Sequence, residues 1–173
     1  MDDDHYTLDN ILGESAELLE LTSAKDNYSV ALELVRQAKR EIYVVTHDLD
    51  PPVYNQEAFV DALSAFARQS RYSHASFIIR NSDKAIKHGH RLLPLAQRLS
   101  SRIKLHNPGF EHRDFIEAFM VVDGIGYIRR QLADRYDGEA SFMAPLIGRN
   151  LRTLFLEMWG RSEPDPQLRR LQI

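Results

Sequence analysis

The segment Phe119-Met120-Val121-Val122-Asp123-Gly124-Ile125-Gly126-Tyr127-Ile128-Arg129-Arg130 constrains the fold more than any other part of the sequence. Four consecutive apolar residues, an Asp-Gly pair and an Ile-x-Tyr-Ile run predict two antiparallel strands joined by a tight turn. Asp123 and Gly124 are residue types that accept the positive-φ backbone such a turn demands, so they are assigned as structural turn residues. Arg129 and Arg130 fall where the second strand leaves the sheet, and sheet ends carry many ligand sites.

The segments before this hairpin alternate between two periods. Val30, Ala31, Leu34, Val35 and Ala38 mark a helix over about 26–40, and residues 41–47 form a β-rich apolar run of the kind covered on both faces. Asp48-Leu49-Asp50-Pro51-Pro52 ends it, since two prolines forbid central-strand pairing. A helix over 55–69 (Phe59, Leu63, Phe66, Ala67), a strand over 75–80, a basic loop over 81–90 and a helix over 91–100 follow. A short strand then spans 102–106. Alternating helix and strand predicts right-handed crossovers and parallel pairing, and the hairpin makes the sheet mixed. After it come a turn at 137–139, an edge strand over 140–143 and a broad-faced helix from Pro145 to Trp159. The expectation is an α/β protein, a three-layer α-β-α sandwich around a mixed sheet. An acidic arm (1–24), with a short amphipathic piece over 11–21, precedes one domain (25–173).

Composition excludes some functions and leaves others open. The 173 residues suffice for one core, and a net charge of -3 gives no global reason to expect nucleic acid. There is no cysteine, hence no thiol nucleophile and no disulfide framework. The Met1-Asp2-Asp3-Asp4 start is unlike a signal peptide and no apolar run approaches spanning length, so a cytoplasmic protein is the default expectation. Charge is unevenly placed: residues 1–20 carry seven acids and no Lys or Arg, while residues 80–104 carry seven bases and one acid. That basic segment either focuses a field towards an anionic ligand or is a solvated surface facing the acidic arm.

No cofactor or metal is expected. Seven histidines include no His-Glu-x-x-His helix, the His88-Gly89-His90 pair is weak metal evidence, and Gly-rich phosphate loops and a Gly-x-Ser-x-Gly elbow are absent. Parallel strands would bring three exits to one rim: His47-Asp48, Arg80 to Asp83, and His106-Asn107. With His112 from the following connection, the candidate anion-binding set is Arg130, Arg129, His112, His47, Asn81 and His106.

The helix and strand at 31–45, the helix at 59–68, the strand at 77–79 and the Phe119 to Gly124 segment together resemble one half of a phospholipase D-like domain. That family carries His-x-Lys-x-x-x-x-Asp on the strand before the turn. Asp123 matches its aspartate, but Ile116 holds the histidine position and Ala118 the lysine position. The Gly-Ser and asparagine that follow in the family are also missing near Arg129 and Arg130. The resemblance implies a catalytically silent domain with no catalytic residues, binding an anionic phosphate-containing ligand, nucleic acid or a protein partner. It also implies a homodimer, because half-motif members of the family pair. The alternatives are an active phosphodiesterase or nuclease using His112 or His47, and a purely structural interaction module.

Overall fold

The computed structural model describes residues 9–170, so Asp2, Asp3 and Asp4 of the acidic arm lie outside the described residues. In chain order the elements begin with β1 (Leu19–Leu21), α1 (Ala24–Gln37), β2 (Glu41–Thr46), α2 (Pro51–Tyr54), α3 (Glu57–Gln69) and β3 (His74–Ile79). Then come α4 (Asp83–Lys87), α5 (Leu92–Arg98), β4 (Ile103–Asn107), a 3-10 turn (Phe110–His112), β5 (Ala118–Val122) and β6 (Gly126–Arg130). The last are β7 (Gly138–Ser141), α6 (Pro145–Gly160), β8 (Glu163–Pro164) and α7 (Pro166–Arg170). The strands form one mixed sheet in the order β1-β7-β6-β5-β2-β3-β4-β8. Strands β2, β3 and β4 are parallel, and β5, β6, β7 and β1 extend one side in antiparallel fashion.

Strand alternation divides the core in two. Ile42, Val44, Phe77, Met120, Val122 and Ile128 face the side covered by α1, α3 and α5. Tyr43, Val45, Ile78, Phe119, Val121 and Tyr127 face α6, which supplies Leu151, Phe155 and Met158. The apolar stripes expected of α1 and α3 are buried, because i, i+3 and i+4 positions share one helical face. Helix α1 starts at Ser23, whose Oγ accepts the Asp26 N–H (3.1 Å).

Three expectations change. Residues 11–21 form a turn and then β1 rather than an amphipathic helix, because Gly13 adopts φ +87° and Leu-Glu-Leu alternates. Leu19 and Leu21 are consequently buried against β7, so the arm assigned to 1–24 contributes a strand. That pairing also makes β7 an interior strand, with β1 at the edge. Pro51 and Pro52 do end strand pairing, and they then open the one-turn helix α2, where a missing N–H has no cost. After α6 the chain returns to the sheet, where β8 pairs with His106 and Asn107 of β4.

The hairpin holds its predicted place, with Val122 opposite Gly126 and three residues between them. Asp123 (φ +53°) and Gly124 (φ +66°) both take left-handed backbone. Asp123 does more than turn. Its carboxylate accepts the N–H groups of Lys39 (2.9 Å), Arg40 (2.8 Å) and Glu41 (3.0 Å), clamping the α1–β2 connection to the hairpin. Helix α6 packs so closely on this turn that a Cβ at Gly148 would strike the Gly124 carbonyl. Asp123→Ala should cost about 2 kcal/mol in urea denaturation, since three donors lose a charged acceptor but two of them can be rehydrated. Asp123→Asn should recover part of that loss.

Candidate functional site

The parallel strands bring their C-terminal ends to one rim, where β5 begins and β6 ends. Opposite neighbours in the ladder fix who meets whom. Ala118 lies across from Arg130, and one step beyond the Val45–Phe119 pair Thr46 lies beside Ala118. Thr46, Ala118 and Arg130 therefore form a row on the α1 side of the sheet. Arg129 points to the opposite face, as neighbours in a strand must.

Arg130 is only 4% exposed, and its anion comes from its own chain. Its Nη1 meets Asp50 Oδ2 at 2.5 Å, its Nη2 donates to the Ala133 carbonyl (2.7 Å), and its guanidinium lies over the Tyr136 ring (5.0 Å). The Tyr136 hydroxyl donates to the other Asp50 oxygen (3.1 Å), and Asn27 Nδ2 donates to the Tyr136 carbonyl (2.9 Å). Burial pushes the Asp50 carboxyl up, opposed by Arg130 and by the Tyr136 hydroxyl. Burial and the Asp50 charge push the Tyr136 phenol up to about 12. Thr46 Oγ1 and Arg130 Nε have no hydrogen-bond partner and border a cavity of only about 10 Å³.

The loop bearing Asp50 is held in an unusual shape. Leu49 (φ +65°) and Asp50 (φ +37°) are left-handed non-glycine residues, each costing about 1 kcal/mol or more. Two tethers keep them there. One is the Arg130–Asp50 pair; the other is His90, whose Nε2–H donates to the Leu49 carbonyl (3.0 Å). The Leu92 N–H donates to His90 Nδ1 (3.1 Å), so the buried ring is held neutral in one tautomer. His90, suggested by sequence only as half of a metal pair, is a scaffold residue. Among the described residues no group of three or more His, Asp or Glu side chains is placed to hold a metal ion.

The other candidate residues are dispersed along the rim. His47 is exposed at the exit of β2, and its carbonyl accepts the Asn81 N–H (2.7 Å). Asn81 is exposed and its Oδ1 accepts the Asp83 N–H (3.0 Å), which starts α4. His106 turns to the α6 side, stacks on Trp159 (3.7 Å, 13°) and has its Nδ1 2.8 Å from Ser162 Oγ. His112 sits half-buried in the 3-10 turn, its Nδ1 enclosed and without a hydrogen-bond partner. Arg129 pairs with Glu117 (2.9 Å). Neither arginine pairs with the nearby Asp134 or Asp137. Asp50, Tyr136 and Asn27 were not foreseen, because nothing local ties positions 27, 50, 130 and 136 together. The basic segment 80–104 is also split up: Arg80 Nε donates to the Arg113 carbonyl (3.1 Å) and Arg91 bonds Asn55, while Arg102 and Lys104 lie elsewhere.

A mixed sheet whose parallel strands meet a β5–β6 hairpin at one rim is an arrangement shared with known structures. The fold is phospholipase D-like. The chain is similar to a phospholipase D family member, Nuc from Salmonella typhimurium, with a TM-score of 0.57 at 12% identity over 86% of this chain and 99% of that one. NucT from Helicobacter pylori gives 0.58 at 9% identity over 86% and 98%. TrmBL2, an archaeal chromatin protein whose structure shows a novel mode of DNA binding, gives 0.60 at 12% identity. That match takes in 88% of this chain and 54% of TrmBL2, so the chain spans about half the archaeal protein's length. No curated protein matches the chain. Residues 23–171 match the family described as a domain of unknown function, DUF7931, and the chain belongs to that family. Among the described residues no helix is long and apolar enough to cross a membrane.

Proposed function

We propose that this chain is a non-catalytic phospholipase D-like domain whose rim binds a partner rather than turning over a phosphodiester. The observation that carries this reading is the Thr46–Ala118–Arg130 row. In the family's register Ile116 stands at the nucleophile and Ala118 at the lysine, and Ile116 is 57% exposed with no lone pair to attack phosphorus. The space beside Ala118 is taken by the Arg130–Asp50 pair, leaving about 10 Å³, so neither charge nor room for a substrate phosphate remains there.

Arg130 and Arg129 each already bind a carboxylate, which weighs against them as receptors for a free anion at this rim. Ile116 and Leu132 stand exposed there, and the Ala133 N–H to Ile116 carbonyl bond (2.7 Å) draws them together. Clustered exposed apolar side chains favour a protein partner. A second copy of this chain is the partner proposed, by analogy with half-motif relatives. One observation favours the competing phosphodiesterase reading: the enclosed, unpartnered Nδ1 of His112.

The test is hydrolysis of bis-(p-nitrophenyl) phosphate and single-stranded DNA, with light scattering on the same samples. The expected result is no turnover and a dimer that Ile116→Asp converts to monomer. Turnover abolished by His112→Ala would establish the competing reading. A wild-type monomer at tens of micromolar would remove the dimer.

A further inference from the structure

At the opposite end of the strands, on the α6 side of the sheet, a groove gathers positive charge with no carboxylate in its lining. It encloses about 360 Å³, within the range of small-molecule sites. Its floor is one cross-strand row, Tyr43–Ser76–Lys104, fixed by the β2–β3 and β3–β4 registers. Arg71 enters from the connection before β3, Arg102 from the turn before β4, and Trp159 of α6 forms a wall. The groove is open because the lone helix on this side packs over β2, β5 and β6 and reaches β3 and β4 only near Ile78 and His106.

The two arginines here are tied to neutral partners, and none of the three cations is paired with a carboxylate among the described residues. Arg71, Arg102 and Lys104 take part in none of the ion pairs among the described residues. Arg102 Nη1 donates to the Ser70 and Ala67 carbonyls, neutral acceptors that orient the guanidinium and leave its charge available. Arg71 Nη2 donates to the Tyr72 hydroxyl (2.6 Å) and stands over that ring (4.8 Å), again without an anion. The nearby carboxylate, Glu41, is engaged by Arg152 and by the Tyr43 hydroxyl (3.0 Å). Guanidinium groups fixed before a ligand arrives lose little freedom on binding an anion, and their planar forks suit phosphate. Trp159 contributes an apolar edge, since His106 stacks on it at 3.7 Å and Phe155 at 5.7 Å.

We propose that this groove is a binding site for a phosphate monoester carried on a ring-bearing small molecule, of the chemistry of a nucleoside monophosphate. The phosphate sits on Lys104, Arg71 and Arg102, and the ring lies against the Trp159 edge. The site is separate from the rim, on the other face and at the other end of the strands, and its fate does not depend on whether the rim is catalytic.

Trp159 is the only tryptophan of the chain, so its fluorescence reports on the groove wall and on the His106 ring stacked against it. Titration with adenosine monophosphate should give a saturable change. Inorganic phosphate should bind about tenfold more weakly, because it lacks the ring contact, and adenosine should give no change. Lys104→Glu and Arg71→Glu should each weaken adenosine monophosphate by about tenfold or more, with circular dichroism unchanged. Arg80→Glu at the rim should bind as the wild type does. Equal affinity for phosphate and adenosine monophosphate would overturn the ring contact. No response in the wild type, wild-type affinity in Lys104→Glu, or loss in Arg80→Glu alone would overturn the site.

Discussion

Arg130→Ala is expected to lower the free energy of unfolding by about 3–5 kcal/mol, the largest effect of any single substitution considered for this chain. Asp50 would be left as a carboxylate 7% exposed, its one cationic partner gone and its left-handed backbone released from a tether. The cost belongs to breaking the pair, not to having lacked it. A double substitution, Arg130→Met with Asp50→Leu, should therefore cost less than Arg130→Ala alone, since it strands no charge. Urea denaturation of the wild type, both singles and the double closes the cycle. A loss below about 1 kcal/mol for Arg130→Ala would mean that Asp50 takes up a proton or finds water or another partner, and that the space beside Ala118 is not sealed by this pair.

Stability should also fall by about 3 kcal/mol as the pH is lowered from about 6.5 to about 4, through His90. Burial lowers this imidazole from its ordinary 6.5 to about 4, against the upward pull of the Leu49 carbonyl. Between those values the unfolded chain binds a proton that the folded chain refuses, so stability is full above 6.5 and is lost as pH falls towards 4. The difference, at about 1.4 kcal/mol per pH unit, sets the size of the effect. The structural reason is visible: a second proton would go to Nδ1, which already accepts the Leu92 N–H. His90→Gln should flatten the profile across this window while lowering stability at neutral pH. An unchanged slope in that variant would assign the acid sensitivity to other groups.

These two effects share one loop, and the loop shows where sequence reading stops. Leu49-Asp50-Pro51-Pro52 was legible as the end of a strand because proline cannot donate to a ladder. Its left-handed backbone was not legible, since leucine avoids that region and aspartate only tolerates it; distant His90 and Arg130 hold it there. The basic segment 80–104 teaches the same lesson in reverse. Its contiguity in sequence suggested one field, yet of its seven bases only Arg102 and Lys104 reach the groove, where they meet Arg71 from outside the segment.

What the sequence determined by itself was whatever rests on local periodicity and turn chemistry. The helical stripes of α1 and α3, the parallel β2–β3–β4 set and the hairpin at Asp123-Gly124 follow from spacing, burial and positive-φ tolerance within a dozen residues. That Ile116 and Ala118 stand where the resemblance would place a histidine and a lysine is likewise a reading of the sequence alone. Tertiary structure alone decided the rest: that three leading N–H groups of the α1–β2 connection converge on Asp123, that Arg130 is spent on Asp50, and that β1 edges the sheet. The physical reason is range. Propensity and patterning act between neighbours in the chain, whereas a buried charge takes whatever partner the packed sheet brings within hydrogen-bond distance, here one 80 residues away.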